Sequence, residues 1–288
     1  MSLYRSLPFL AILPAALVAS AAQGAIVTLQ DGNSKATINT SNQTGMNHWE
    51  ILGQNELVQQ WFWYRIGNAA EQSIDTIGTP VVVTTNGTRG VTTTYSTAAF
   101  SVSVDYLLTG GPAAAPGTHA TASIAETITI TNNTANPMDF HLFQYSDFDM
   151  DGTGNDTISL TTSGTPARFT SANQTDGTTA SLSETVVTPG ANHGEAALWP
   201  FTIGRLNDGV ATVLNDNKGP VGPGDSAWAL EWDFTGVGND YALIPANGGS
   251  QVISKTKTLD VIVPVPEPAS LGVLALGGLG LLLRRRRA

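Results

Sequence analysis

The sequence predicts an all-β protein whose body is an antiparallel β-sandwich. Short segments rich in Val, Ile, Thr and Tyr alternate apolar and polar residues with a period of two, as strands with one buried and one solvent-exposed face do. Gly, Asn and Asp pairs that favour tight turns recur about every ten residues. Only 12% of the 288 residues are charged, and no helical periodicity continues beyond a couple of turns. Together these observations favour a sandwich over a helix bundle.

The chain is predicted to begin with a secretory signal peptide, residues 1–24. Arg5 supplies a positive charge, residues 7–18 are apolar, and small residues follow. Cleavage is expected after Ala22 or Gly24. The alternative is an uncleaved anchor helix, but the segment is short and contains two prolines. Because the chain has no cysteine, disulfides, thiol catalysis and cysteine-ligated metals are excluded.

The body, residues 25–263, is predicted to be one large sandwich domain. A stretch rich in Gly, Pro and Ala near residues 110–118 is an alternative internal boundary. Loops of this composition also occur inside single sandwiches, and one domain of this size is common. The strands with the clearest alternation are expected at residues 80–85, 90–95, 100–107 and 123–131.

The body is also strongly acidic. Residues 25–268 carry eight basic and 23 acidic residues, a net charge of −15, because the other five arginines lie at the two ends of the chain. A surface of this charge repels nucleic acid and anionic lipid. We therefore expect no nucleic-acid partner.

A candidate calcium loop lies between strands expected at residues 140–145 and 157–161. The predicted ligands are Asp147, Asp149, Asp151, Asn155 and Asp156. Alternate carboxylates followed by a glycine, here Gly152, are typical of the first half of a calcium-binding loop. The second half departs from the EF-hand pattern, because Ile158 stands where a bidentate Glu is expected. The alternative is an acidic turn between strands that binds no ion.

An aromatic platform for sugar rings is a second candidate site. Residues 61–65 are Trp-Phe-Trp-Tyr-Arg, and in a strand Trp61 and Trp63 share one face. If exposed, the two rings would stack on sugars, with Arg65 in reach of a uronate. The alternative is a central strand buried on both faces, where aromatic residues supply core area. The same two alternatives apply to Trp228 and Trp232.

No catalytic motif is evident in the body. The four histidines are isolated from one another in the sequence, at His48, His119, His141 and His193. Gly224-Asp225-Ser226 is not followed by a block containing a matching histidine. We therefore predict a structural or binding role without catalysis. The alternative is a secreted glycoside hydrolase or lyase, which two carboxylates in a cleft beside a tryptophan would favour.

The C-terminal residues 264–288 form a tail with three parts. Pro266-Glu267-Pro268 is an extended segment that a processing enzyme can bind in an open groove. Residues 269–283 carry no charge, and as a helix with a rise of ~1.5 Å per residue they would span about 22 Å of a ~30 Å membrane core. The last part is a basic cluster expected on the cytoplasmic side of the membrane: Arg284, Arg285, Arg286 and Arg287.

This tail resembles the PEP-CTERM sorting signal, which has the same three parts in the same order. The resemblance implies a Gram-negative bacterium, a membrane-embedded exosortase that cleaves near Pro266-Glu267-Pro268, and export linked to exopolysaccharide. It implies a transient inner-membrane state through residues 269–283 and a final location at the cell surface or in the extracellular matrix. Extracellular polysaccharide is then a candidate partner. The resemblance covers about 24 residues and carries no information on the body.

Overall fold

The computed structural model of the chain describes residues 22–23 and 26–265. Apart from Ala22–Gln23, the predicted signal peptide lies outside these residues, as do the Pro-Glu-Pro motif, the apolar segment 269–283 and the arginine cluster. No helix within the described ranges is long and apolar enough to cross a membrane.

Among the described residues, ten antiparallel strands form the first sheet, sheet A. In spatial order they are β1 (Ala22–Gln23), β8 (Val81–Thr85), β9 (Gly90–Ser96), β10 (Phe100–Gly110), β11 (His119–Asn132), β19 (Gly249–Ile262), β15 (Ala180–Thr188), β14 (Arg168–Thr175), β13 (Asp156–Ser163) and β17 (Val221–Gly224). The candidate boundary at residues 110–118 joins β10 to β11, which are neighbours in this sheet.

In the part of the chain that the structure describes, nine antiparallel strands form the second sheet, sheet B. Its main path is β16 (His193–Leu198), β18 (Ser226–Phe234), β12 (Phe140–Phe148), β6 (Leu57–Ile66), β4 (Met46–Ile51), β3 (Ser34–Asn39) and β2 (Ile26–Asp31), while β5 (Gln54–Asn55) pairs with β4 and β7 (Gln72–Ser73) with β6. The helical elements within residues 26–265 are 3₁₀ turns at Ile74–Thr76 and Met150–Gly152 and the five-residue helix α1 (Phe201–Arg205).

The prediction of an all-β antiparallel sandwich is confirmed. In β11 every second residue from Ala120 to Asn132 is buried, as expected for a strand with one face in the core. The inner faces of the two sheets meet through aromatic contacts. The ring of Tyr64 in sheet B lies 5.4 Å from that of Phe100 in sheet A.

The centre of sheet B departs from the expected alternation, because its strands are buried on both faces. All nine residues of β12 and all nine of β18 are buried. One face packs against sheet A, and the segment from α1 to Asn217 covers much of the other. The indole of Trp63 donates a hydrogen bond to Asn207 in this cover, and the backbone N–H of Leu214 donates one to Glu231.

Candidate functional site

A row of polar side chains crosses three central strands of sheet B. His141 on β12 lies directly opposite Arg65 on β6 and opposite Asp233 on β18. Directly opposed residues project from the same face of a sheet, so these three side chains are neighbours. Next to these three side chains, His193 on β16 lies opposite Glu231 on β18. We call the five residues together the polar row. The antiparallel register thus gathers residues that are far apart in the sequence.

Asp233 lies between the two imidazoles of this polar row. Nδ1 of His141 is hydrogen-bonded to Oδ1 of Asp233, and Nε2 of His193 lies 3.6 Å from its Oδ2. Each imidazole also has an outer carboxylate partner: Asp139 is 3.1 Å from Nε2 of His141, and Asp216 is 3.0 Å from Nδ1 of His193. One ligand atom each of His141, Glu231 and Asp233 lie within 4.8 Å of one another.

The pKa values of the two central carboxyl groups, Glu231 and Asp233, are shifted in opposite directions. Burial, followed by the charge of Asp233, raises the pKa of Glu231 well above its usual range. Burial also raises the pKa of Asp233, but the hydrogen bond and charge of His141 outweigh burial, so this pKa lies below its ordinary value. The two neighbouring carboxyl groups therefore differ in proton affinity, Glu231 holding its proton more tightly than Asp233, and such a pair suits proton transfer.

Access to the polar row is narrow. Glu231 is fully buried, and its Oε2 accepts the N–H of Leu214 at 2.8 Å. Arg65 is buried between Glu71, 3.1 Å from its Nε, and Glu231, 3.5 Å from its Nη2. Only the outer edge reaches solvent, where the side chain of His193 is 31% exposed. A small ligand can reach the imidazole of His193, whereas Arg65 is not available to bind a uronate.

The cover over the polar row is held by buried charges. Glu195 on β16 is fully buried and accepts hydrogen bonds from Arg205 and Thr202 of α1, each at 2.6 Å. Glu71 accepts the backbone N–H of Thr212 at 2.8 Å. Hydrogen bonds to charged groups are among the stronger ones in proteins. The cover is therefore a fixed part of the fold.

A second cluster contains two of the predicted calcium ligands and one residue that was not predicted. One carboxylate oxygen each of Asp147, Asp149 and Asp225 lie within 4.8 Å of one another. Burial, followed by the charge of Asp225, raises the pKa of Asp147 to about 7, and the same two causes raise the pKa of Asp149.

The other predicted calcium ligands lie outside this cluster. Oδ1 of Asp151 accepts a hydrogen bond from Gln54 at 2.6 Å, and Asp151 has a left-handed backbone conformation (φ 58°) that turns the chain. Asp156 is fully buried, and its Oδ2 accepts the N–H of Met150 and the side-chain amide of Gln174. Asn155 is exposed on the turn. The linear loop therefore does not converge on one point.

The predicted sugar platform is wrong, because Trp61 and Trp63 are fully buried. The indole N–H of Trp61 donates to Ser73, and its ring packs edge-on against Tyr95 of sheet A. The alternative of a strand buried on both faces is the one observed. Trp228 and Trp232 are fully buried as well.

The exposed aromatic side chains lie elsewhere, between the end of β16 and the first residue of α1. Trp199 is 54% exposed and Phe201 is 55% exposed. They are the only tryptophan and phenylalanine in the described residues that face solvent to this extent. The backbone N–H of Trp199 donates to the carbonyl of Asp225 at 2.8 Å, and the guanidinium of Arg205 lies 5.7 Å from the centre of the Phe201 ring. We call Trp199 and Phe201 the aromatic edge.

Sequence reasoning missed both the polar row and the role of Asp225. One signal was present: Glu231 and Asp233 alternate along a strand otherwise filled with apolar residues, which is unusual for a core strand. The histidines gave no such signal, because His141 and Asp233 are 92 residues apart. Likewise, the sequence did not show that Asp225 lies beside Asp149.

Comparison with protein families identifies the tail. Residues 264–287 match the PEP-CTERM protein-sorting motif, so the resemblance of this segment is confirmed. The motif indicates export and sorting to the cell surface of a Gram-negative bacterium, with processing by an exosortase. The body has no match among the family models, and no curated protein has a sequence that matches the chain.

Several solved structures share the fold of the body at very low sequence identity. A candidate aldose 1-epimerase from Escherichia coli K12 matches with a TM-score of 0.55 and 11% identity, over 83% of this chain and 99% of its own. A galactose mutarotase related enzyme from Lactobacillus acidophilus matches with a TM-score of 0.54 and 8% identity, over 84% of this chain and 100% of its own.

A bacterial glucoamylase complexed with acarbose also matches, with a TM-score of 0.55 and 10% identity. The match covers 89% of this chain but only 36% of the glucoamylase. At these identities the similarity shows the fold alone. Sheet B and its polar row are therefore set in an architecture that these structures share.

Proposed function

We propose that this protein is an exported surface protein that binds extracellular polysaccharide without chemically changing it, and that the aromatic edge is the contact surface. The observation that carries the proposal is the exposure of Trp199 and Phe201 on a protein whose other five tryptophans are all buried. Burying such rings is favourable during folding. Two that remain in solvent on a rigid segment suit a ligand with flat apolar faces, and sugar rings have such faces.

The segment is held in place before any ligand arrives. The N–H of Trp199 donates a hydrogen bond to the carbonyl of Asp225, directly before β18, and Arg205 fixes α1 to the buried carboxylate of Glu195. A surface that is already ordered loses little conformational entropy when it binds. Binding by Trp199 and Phe201 is therefore expected without rearrangement of the sandwich.

The tail and the fold support a carbohydrate as the ligand. The PEP-CTERM motif indicates delivery to the cell surface, where exopolysaccharide lies. The names of three proteins with this fold refer to aldose, galactose and glucoamylase chemistry. The acidic charge of the body disfavours polyanionic glycans. A neutral hexose polymer is therefore the proposed ligand class.

Binding without chemistry is expected from the burial of the polar row. Oε1 of Glu231 lies 3.5 Å from the guanidinium of Arg65 inside the protein. Its other oxygen, Oε2, accepts a hydrogen bond from the backbone N–H of Leu214 in the cover. A catalytic pair must reach the reacting atoms of its substrate at hydrogen-bond distance. In this protein the cover lies where a substrate would have to approach Glu231.

The test is affinity electrophoresis of the purified protein in gels that contain neutral or acidic polysaccharides. We expect retardation by a neutral glucan or galactan, and a loss of about tenfold in affinity for Trp199→Ala and Phe201→Ala, as is typical of a central aromatic contact. Val237→Ala, which also truncates an exposed apolar side chain, is the matched control. Retardation of Trp199→Ala equal to that of the wild type would exclude the aromatic edge as the contact surface.

A carbohydrate-active enzyme is the second candidate function, favoured by the two imidazoles that flank Asp233 beside Glu231, whose pKa burial raises. Interconversion of sugar anomers requires one group that protonates an oxygen and one that removes a proton, and His193 with Asp233 offers both at the open edge. Proton NMR of freshly dissolved α-glucose and α-galactose tests it. His193→Gln should then lower the rate by about 10²–10⁴-fold, and a wild-type rate equal to that of buffer would rule this candidate out.

A further inference from the structure

We propose that Asp147, Asp149 and Asp225 form a Ca²⁺ site at the end of the β12–β18 strand pair. Asp147 lies on β12 opposite Ala227 on β18. Continuing the same antiparallel register past the ends of the strands places Asp149 opposite Asp225. Side chains two residues apart on a strand share a face, so Asp147 projects to the same side. This explains why oxygens of all three carboxylates lie within 4.8 Å of one another.

The carboxylate of Asp147 is incompletely satisfied by the protein. The residue is 3% exposed, and its Oδ2 accepts the hydroxyl hydrogen of Tyr145 at 3.1 Å. Its Oδ1 has no hydrogen-bond partner in the part of the chain that the structure describes. A buried carboxylate oxygen without a partner is costly. Since this carboxylate is directed into the cluster with Asp149 and Asp225, a cation there would satisfy it.

Within the described residues, no lysine, arginine or histidine forms an ion pair with the three carboxylates. Buried carboxylates elsewhere in the body do have such partners, among them Glu71, Asp233, Glu195 and Glu184. Like charges held this close raise the free energy of the folded state. A divalent cation removes that repulsion.

The donor type and the open side of the cluster favour Ca²⁺ over other divalent cations. Carboxylate oxygens are hard ligands. Ca²⁺ accepts about six to eight oxygens in flexible geometry, whereas Mg²⁺ demands near-ideal octahedral geometry and gives up its water reluctantly. The cluster has neither cysteine nor histidine, so the softer donors that zinc prefers are missing from it.

Solvent can complete the coordination shell, and the following loop packs closely against the cluster. Asp225 is exposed and Asp149 is half-buried, so one side of the cluster is open to water. On another side the loop after the 3₁₀ turn approaches closely: a Cβ on Gly154 would lie 3.2 Å from Cβ of Asp225 and 3.5 Å from Oδ1 of Asp149. Three protein oxygens plus water suit a site of extracellular affinity, with a Kd of about 10⁻⁴–10⁻³ M.

This site differs from the linear loop predicted from the sequence, since Asp225 is a ligand in place of Asp151, Asn155 and Asp156. It does not depend on the proposed polysaccharide function, because the metal is tested alone. Tyr145, whose hydroxyl contacts Asp147, also places a phenol next to the ion. That phenol can sensitise the luminescence of Tb³⁺, a Ca²⁺ analogue.

The experiment is a calorimetric titration of the chelator-treated purified protein with CaCl₂, and then with MgCl₂, together with Tb³⁺ luminescence. We expect Ca²⁺ binding with a Kd below about 10⁻³ M, weaker Mg²⁺ binding, and Tb³⁺ emission that Ca²⁺ displaces. Asp149→Asn and Asp225→Asn should each weaken Ca²⁺ binding at least about tenfold. Asp151→Asn, in the adjacent turn but outside the cluster, is the matched control and should stay within about twofold of the wild type.

The thermal midpoint without metal provides a second readout. Removal of one of three repelling charges should raise the midpoint of Asp225→Asn by about 2–4 °C in chelator and abolish its response to Ca²⁺. Failure of the wild type to bind Ca²⁺ at 10-millimolar concentrations overturns the proposal. A loss in Asp151→Asn equal to that in Asp225→Asn also overturns it, because that result points to the linear loop.

Discussion

Glu126 and Lys255 lie directly opposite each other across the β11–β19 strand pair, and both side chains are completely buried between the two sheets. Lys257 and Glu184 complete a quartet of two positive and two negative groups. Nζ of Lys257 is 3.1 Å from Glu126 and 3.2 Å from Glu184. Burial, followed by the charge of Lys257, lowers the pKa of Lys255 well below its usual range.

The quartet also connects the two sheets. Glu184 belongs to sheet A and accepts hydrogen bonds from two residues of sheet B, the amide of Gln144 at 2.7 Å and the indole of Trp228 at 3.1 Å. The charges are balanced and each carboxylate has more than one donor. Such a network is tolerated in a core only while it stays complete.

Removing one charge from the quartet should therefore strongly destabilise the protein. Glu126→Gln leaves two buried lysines with one carboxylate, and we expect the free energy of unfolding to fall by about 3–5 kcal/mol. The measurement is urea denaturation, with a check that the dependence of the unfolding free energy on urea concentration is unchanged. The double variant Glu126→Leu with Lys255→Met replaces the two charges by an apolar pair, so its free energy of unfolding should fall less than that of Glu126→Gln.

The matched control for the quartet is the ion pair of Lys35 and Glu50, at 3.3 Å on the surface with Lys35 40% exposed. Exposed pairs contribute about 0–1 kcal/mol. A loss for Glu126→Gln as small as that for Lys35→Ala would show that the buried charges are not coupled as the structure indicates.

Glu56 should make stability depend on pH in the direction opposite to an ordinary ion-paired carboxylate. Its side chain is buried, Oε2 accepts the N–H of Asp151, and Oε1 has no hydrogen-bond partner among the described residues. Burial, followed by the charge of Asp151, raises its pKa from 4.5 to about 7, although the hydrogen bond from Asp151 lowers it.

Because the folded state binds this proton more tightly than the unfolded state, its contribution to stability is complete below pH 4.5 and is lost as the pH rises through 7. We expect the free energy of unfolding to fall by up to about 3 kcal/mol from pH 5 to pH 8, at 1.36 kcal/mol per pKa unit. Glu56→Gln should be the more stable form at pH 8 and should flatten the profile in urea denaturation. An unchanged slope in this variant would contradict the assignment.

Gly110 should tolerate no side chain, because it lies where sheet A meets the β2–β3 hairpin of sheet B. A Cβ at this position would lie 1.9 Å from the backbone carbonyl oxygen of Asp31, which cannot move aside as a flexible side chain can. Gly110→Ala should cost at least about 2 kcal/mol, as overpacking does.

Gly204 is the matched control, because it lies on the exposed side of α1, where an added Cβ would have no heavy atom within 4 Å apart from its chain neighbours and its own helix backbone. Gly204→Ala should stabilise the protein by about 0.5–1 kcal/mol through helix propensity. Urea midpoints of the two variants should thus move in opposite directions. Equal midpoints would show that the two sheets do not meet at Gly110 as described.

Processing at the tail should remove the apolar segment from the exported protein. Intact-mass analysis of material recovered outside the cell should find a C-terminus within residues 265–270. Replacing Pro266-Glu267-Pro268 with alanines should leave the protein in the inner membrane, because the extended segment is lost. Detection of Arg284–Arg287 on the extracellular protein would be decisive evidence against this processing.

Much of the fold was predictable because strand formation leaves a local signal. The alternation in residues 100–107 and 123–131 predicted two strands, and β10 and β11 contain them with ends a few residues longer. The aromatic run at residues 61–65 was ambiguous for a physical reason. Burial of one face or of both depends on what packs over the strand, and the cover that buries Trp63 lies about 140 residues further along the chain.

The sites were less predictable than the strands. Asp147 and Asp149 were identified from their spacing, but Asp225 was not, because it reaches them only through the β12–β18 pairing. The left-handed backbone of Asp151 directs that residue away from the cluster, although its spacing suits a calcium loop. Trp199 and Phe201 showed no pattern, since exposure of an aromatic ring depends on the whole surface around it.

The sequence by itself determined the strand character of the body, its acidity and the identity of the tail, because period-two alternation, composition and a linear motif are read from adjacent residues. Only the tertiary structure decided which strands pair and in what register. That pairing brings His141 to Asp233 and Asp225 to Asp149, and it buries Glu126 against Lys255. The reason is that strand order depends on the free energy of the whole packed sandwich, in which contacts between distant residues outweigh local preference.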